Sequence, residues 1–206
     1  MGFMMQDIFT SRLQLRRFTV SDAADLFDYL SNPRVNCFID GKVSTMEQAI
    51  VEAEKRSQDD SCLAVCLQET GEVIGDLFLH EDDMHGAPSK SAASQASPKL
   101  EEKTRSADTY SVGWNFNVKY EGKGYASESA MALLDYLFMQ KGVRRIYAYV
   151  EDDNVRSQAL CKKLGMRQEG CFMEFVTFVN HPDGTPKYEN TFQYAILKKE
   201  WLQRNH

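Results

Sequence analysis

A chain of 206 residues is long enough to bury a core within one domain, here taken as residues 1–206. Apolar residues at 43% and charged residues at 26% match ordinary globular usage, which excludes collagen-like, disulfide-scaffold and wholly disordered classes. A net charge of -6 argues against a nucleic-acid partner, because phosphate neutralisation needs clustered Lys and Arg; it suits plain solubility and hints at a cationic acceptor.

Arg12 to Phe18 alternates with an imperfect period of two and predicts a first strand. Thr19 with Asp22 fits a capping box ahead of a helix with Ala23, Leu26, Phe27 and Leu30 on one face, stopped by Asn32-Pro33. Ser44 with Glu47 predicts a second box, before a helix striped by Met46, Ala49, Ile50 and Ala53. Cys62 to Gln68 and Glu72 to His80 are β-rich runs joined by Glu69-Thr70-Gly71, a hairpin. From 81 to 107 the composition turns to Ser, Ala, Pro, Lys and Gln; such a stretch buries too little to offset its ordering entropy. It is expected to be a flexible insertion, a disordered segment before a functional lid.

Thr109 to Val118 is again strand-like, with Tyr110, Val112, Trp114 and Phe116 on one face. A glycine-bearing turn from Lys119 to Ala126 runs into a helix striped by Ala130, Leu133, Leu134, Leu137 and Phe138, closed by Gly142. Arg144 to Val150 predicts a strand, and Asp153-Asn154 caps a helix striped by Ser157, Leu160, Cys161 and Leu164, with Gly165 past its end. Strands from Cys171 to Val179 and Tyr188 to Leu197, joined by the turn residues 181–186, complete the order β-α-α-β-β-insert-β-α-β-α-β-β.

The five cysteines, Cys37, Cys62, Cys66, Cys161 and Cys171, are odd in number and form no C-x-x-C pair, so thiols in a reducing compartment are the simple account. No metal site is expected. Cys62 and Cys66 lie four apart with no histidine pair nearby. Residues 1–9 are too short and interrupted for a signal peptide, and no apolar run reaches the ~18 residues of a membrane span. The expected location is the cytoplasm, with no membrane partner.

Gly122-Lys123-Gly124 opening into a helix is a phosphate-binding arrangement in physical terms. The first N–H groups of a helix lack intrahelical partners, the macrodipole is positive there, and glycines let an anion approach the backbone. A tight connection alone would look the same. No Gly-Lys-Ser/Thr ending and no third glycine followed by an acidic residue are present, which excludes the nucleotide-hydrolase and dinucleotide loops.

The run Val118-Lys119-Tyr120-Glu121-Gly122-Lys123-Gly124-Tyr125-Ala126-Ser127-Glu128 resembles the acetyl-CoA loop of the GNAT N-acetyltransferase superfamily, patterned Gln/Arg-x-x-Gly-x-Gly/Ala. Gly124 and Ala126 fill its last two places, while Glu121 departs from Gln or Arg and should weaken diphosphate binding. Downstream, Asn154 to Met166 is similar to the family's Asn-x-x-Ser/Ala helix and its Leu-Gly-Phe end. Arg12 to Arg16 and the Ser/Thr-rich entry to the second helix are similar to the branch with ribosomal-protein N-terminal acetyltransferases.

This resemblance implies an α/β (α+β) fold with a mixed, mostly antiparallel central sheet of about seven strands flanked by about four helices. It implies acetyl-CoA as donor and, as acceptor, a primary amine of a protein N-terminus or a small molecule, attacked directly in a ternary complex. Coenzyme contacts would fall on Phe116, Asn117, Val118, Glu121, Gly122, Lys123, Gly124, Tyr125, Ala126, Ser127, Asn154 and Ser157. A backbone N–H near Val118 would polarise the thioester carbonyl. Cys161 stands where many members carry a tyrosine acid, and reads either as that acid or as a core residue. Candidates for the base are Asp76, His80, Tyr110 and Asn115. A coenzyme-binding module without turnover is the competing reading, and the chain would act as a monomer or homodimer.

Overall fold

The computed structural model describes residues 6–82 and 108–204. Leu13 and Leu15 alternate with Gln14 and Arg16, and the strand they form, β2 (Leu13–Arg17), buries both leucines. A two-residue strand, β1 (Ile8–Phe9), pairs antiparallel with it at the sheet edge. The Thr19 and Asp22 box forms as expected: Asp22 Oδ2 accepts from Thr19 N at 2.8 Å, and a 3-10 turn leads into α1 (Ala23–Leu30).

Helix α2 (Met46–Ser57) corrects the second box. Thr45, not Ser44, is the N-cap, with its hydroxyl accepting from Gln48 N at 3.3 Å. Ala49 and Ala53 are fully buried, whereas Met46 and Ile50 turn outward at 40% and 43% exposure. Two alanines on the inner face let the helix lie close to its neighbour α1, and the longer side chains are left at the rim.

The hairpin β3 (Cys62–Leu67) and β4 (Val73–Glu81) is antiparallel, and β4 pairs in turn with β5 (Thr109–Phe116), from Gly75 opposite Phe116 to Glu81 opposite Tyr110. Glu81, expected in the insertion, closes β4; residues 83–107 lie outside the described residues. Helix α3 (Tyr125–Asp135) passes into a π turn (Tyr136–Gln140), and the whole predicted stripe from Ala130 to Phe138 is buried. Strand β6 (Arg145–Glu151), helix α4 (Val155–Lys163), the long pair β7 (Arg167–Asn180) and β8 (Pro186–Leu197), and a last helix α5 (Lys198–Arg204) follow.

Among the described residues the sheet has eight strands in the order β1-β2-β3-β4-β5-β6-β8-β7, and only β5 and β6 are parallel. It is the mixed, mostly antiparallel α/β architecture expected. There is one more strand than the seven read from sequence, because β1 is too short to show a period. There is also a fifth helix: α5 is barely two turns and buries only Trp201. Helices α3 and α4 cover one face through a core including Leu133, Leu137, Ile146 and Leu164. Helices α1 and α2 cover β3 and the start of β4 on the other. Beyond them no α-helix of the described residues lies on that face, and Tyr149, Phe172 and Phe175 of β6 and β7 stand in mutual ring contact, 36–52% exposed.

Candidate active site

Parallel pairing between β5 and β6 stops after three positions, Thr109 with Arg145, Tyr110 with Ile146 and Ser111 with Tyr147. Each strand keeps its other neighbour to the end, β4 and β8 respectively. The sheet therefore splits, and the edges of Val112–Phe116 and Ala148–Glu151 diverge. A cleft of about 470 Å³ opens there. It is lined by β5 from Trp114, by the following loop and the first turn of α3, by one flank of α4, and by Arg34, Val35 and Phe38.

Every residue assigned to the coenzyme lines this cleft except Lys123. Lys123 instead lays its ammonium 5.2 Å from the Tyr120 ring centroid. Gly122 and Gly124 hold φ at +76° and +83°, a conformation that L side chains rarely adopt. Gly124 is the N-cap of α3 and supplies no side-chain cap; the first helical bond runs from Glu128 N to Gly124 O. Tyr125, Ala126 and Ser127 line the cleft, and as the first turn of a helix they carry N–H groups without intrahelical acceptors.

Side chains from other elements hold this loop in place. Arg12 donates through Nη1 to Lys123 O at 3.0 Å and through Nε to Glu128 Oε2 at 2.8 Å, and its guanidinium lies 4.5 Å from the Tyr125 ring centroid. Burial pushes the Glu128 carboxyl up, but hydrogen bonds from Thr10, Arg12 and Ser11 outweigh it and hold the group below the usual range. Lys163, in the last turn of α4, donates to Ser127 Oγ at 2.9 Å and so brings its ammonium beside the α3 terminus. Asn117 is 3% exposed; it caps the next turn by accepting from Lys119 N at 3.0 Å and donates to Asp28 at 2.6 Å.

Glu121, the departure from the family pattern, is held by two arginines. Arg34 donates to Oε2 at 2.6 Å and Arg156 pairs with Oε1, and the Arg34 bond first of all keeps the carboxyl below its ordinary range. Arg156, Leu160 and Lys163 follow one another at i, i+4 and i+7, a flank of α4 that turns two cations and a leucine to the cleft. Across the split, Trp114 Nε1 donates to Ser157 Oγ at 3.0 Å, while Asn154 accepts from Ser157 N at 3.2 Å and caps α4.

The proposed acid and bases fall elsewhere. Cys161 is fully buried in the core beside Leu160 and Leu164, and burial pushes its thiol up to about 12. Tyr110 is 7% exposed, donates to Glu81 at 2.6 Å and sits at the paired end of β5; at ~3.3 Å per residue that is about 20 Å from Phe116. His80 is exposed and level with Ser111, at that same end. Asp76 is nearly buried, accepts from Tyr29 Oη at 2.7 Å and pairs with Arg56; burial raises its carboxyl above the usual range. Its sheet partner Asn115 is the one candidate base that lines the cleft.

A split mixed sheet with a glycine-led helix start at its mouth makes this an α/β protein with main-chain amides available to an anion. Residues 12–167 match the acetyltransferase (GNAT) domain model, and the chain belongs to that family and is an N-acetyltransferase. Among its relatives is an uncharacterised N-acetyltransferase of Bacillus subtilis (strain 168), YnaD, 31% identical over 195 residues, 94% of this chain and 98% of the relative. A GNAT-family acetyltransferase structure from Bacillus anthracis superposes with a TM-score of 0.73 at 29% identity, covering 95% of this chain and all of that one. The structure of a putative ribosomal-protein-serine acetyltransferase from Vibrio cholerae superposes at 0.67 and 19% identity, over 95% of this chain and 99% of that one, a likeness of fold.

Proposed function

We propose that this cleft binds acetyl-CoA and that a primary amine takes the acetyl group by direct attack on the thioester. The diphosphate rests on the N–H groups of residues 122 to 127, with Lys163 as the nearby cation. The pantetheine arm follows the split between β5 and α4 past Asn154 and Ser157, and the acetyl carbonyl lies near the Val118 backbone. The amine enters from the side of Arg34, Val35 and Phe38, which line the cleft. A carbon–nitrogen bond forms, the carbon–sulfur bond breaks, coenzyme A leaves as the thiol, and the nitrogen gives up its proton. Holding both reactants in one cleft supplies much of the acceleration.

The observation that carries this reading is the uncapped, glycine-led start of α3 facing a cleft made by splayed strands. With its thiol buried, Cys161 packs the core and takes no part in protonating the leaving group. Calorimetry with acetyl-CoA, followed by thiol release on a panel of protein N-terminal peptides and small amines, tests the proposal. Micromolar binding with turnover is the expected result. Tight binding without turnover on any amine would favour a coenzyme-sensing module.

A further inference from the structure

Two buried side-chain polar atoms have no hydrogen-bond partner among the described residues, Glu189 Oε2 and Thr191 Oγ1. Both residues lie on β8, two apart and so on one face, and are 5% and 2% exposed. Glu151 sits directly opposite Thr191 in the β6–β8 ladder and completes a cluster of two carboxylates around one hydroxyl. The carboxylates are close enough to interact: Glu151 is raised first by its own burial and then by the charge of Glu189. Lys187 stands 3.5 Å from Glu189 Oε1, is itself 44% exposed, and leaves Oε2 unanswered. Leaving a charged acceptor buried and unpaired works against folding, so the arrangement calls for a ligand.

Register ties the cluster to the cleft. Ser111 is level with Tyr147, so counting four residues along each strand puts Glu151 across the split from Asn115, which lines the cleft. Cross-strand neighbours share a face, so Tyr149, Glu151, Thr191 and Glu189 stand on the same side of the sheet as Asn115. One 3-10 turn (Asn36–Phe38) spans both places. Asn36 donates to Glu189 Oε1 at 2.6 Å, the Cys37 thiol bonds Glu151, and Phe38 lines the cleft.

We propose that Glu151, Glu189 and Thr191 form a subsite for a second ammonium group on the acceptor, making a diamine or longer polyamine the preferred substrate class. This rests on the amine approach argued above. An ammonium carries three N–H donors, and the cluster presents three acceptors. The subsite lies on β6 and β8, across the split from β5, so the second nitrogen must stand several methylenes from the one that reacts. The exposed rings of Tyr149 and Phe172 flank the route and suit a methylene chain ending in a cation. The ammonium answers Oε2, the oxygen that Asn36 and Lys187 leave free, with a charge-assisted hydrogen bond.

The test measures acetyl-CoA affinity by calorimetry and then thiol release with a chain-length series of α,ω-diamines beside the matching monoamines. The best diamine is expected to exceed its monoamine about tenfold or more in kcat/KM, with an optimum in length. Glu189→Gln and Thr191→Val are each expected to raise the diamine KM by about tenfold, with kcat and acetyl-CoA affinity held and the loss confined to diamines. Thr191→Val keeps size and shape, so it carries the test should Glu189→Gln not fold. Equal kcat/KM for diamines and monoamines, or an equal loss on both in the variants, overturns the subsite and leaves the transferase standing. Absence of acetyl-CoA binding by the native protein overturns the underlying reading and the subsite with it.

Discussion

Helices α3 and α4 both begin at the cleft, and they begin in opposite ways. Asn154 closes α4 with its own side chain, accepting from Ser157 N, whereas Gly124 leads α3 from a left-handed conformation and has no side chain to offer. The side-chain cap satisfies one of the donors at the start of α4, so less of that helix end is available to an anion. The first-turn amides of α3 keep their donors facing the cleft, with the helix dipole behind them. Two glycine-or-asparagine starts that look alike as helix signals therefore do different work: one stabilises its helix, and the other is kept ready for a ligand.

The sharpest way to break this contrast is Gly124→Glu. Its carboxylate would occupy the anion position and its φ of +83° is strained for any side chain, so coenzyme binding should fall by about a hundredfold or more in calorimetry. Wild-type affinity would move the coenzyme away from α3. Asn154→Ala should act mainly on the helix it caps, lowering stability by ~1 kcal/mol in denaturant titrations while weakening coenzyme binding far less than the glycine change. Equal losses from the two would erase the distinction between the helices. Glu121→Gln leaves Arg34 and Arg156 available to the donor's phosphates, and should tighten binding about threefold at low salt, with the gain vanishing at high salt.

Acidification probes the clamp that holds the α3 loop. The Glu128 carboxyl is depressed below its ordinary 4.5 in the folded chain, so the stability it contributes is present above that pH and is lost as pH falls through the lowered value. The melting-temperature gap between the native protein and Glu128→Gln should therefore be constant at neutral pH and shrink below about pH 4.5. Cys161→Ala should change turnover least, remaining within a few-fold of wild type; a hundredfold loss would restore the thiol as an acid.

What was legible in the sequence is what local chemistry decides. The stripe from Ala130 to Phe138, the glycines at 122 and 124, and the Asn154 cap are set by neighbours within a few residues, and all stand where periodicity and capping rules put them. Ser44 and Thr45 are both competent caps, and the choice between them rests on which alanines meet α1, a tertiary matter. The split sheet was hidden for the same reason: no residue type announces that β5 and β6 part after Ser111. His80 and Tyr110 were reasonable chemical groups on the right strands, yet only the β4–β5 register reveals that they stand at the paired end. Arg12, Arg34 and Lys163 reach the site from three distant elements, which sequence spacing does not join.

The bracket formed by Arg34, Glu121 and Arg156 also constrains how this chain can drift over evolutionary time. Losing the carboxylate alone sets two guanidinium groups against each other, and losing either cation leaves a negative charge at the rim of an anion's berth. Loss of a cation is the disfavoured step while Glu121 remains, so acidic residues at 121 should be confined, among homologues, to lineages that keep a base at 34, at 156 or at both.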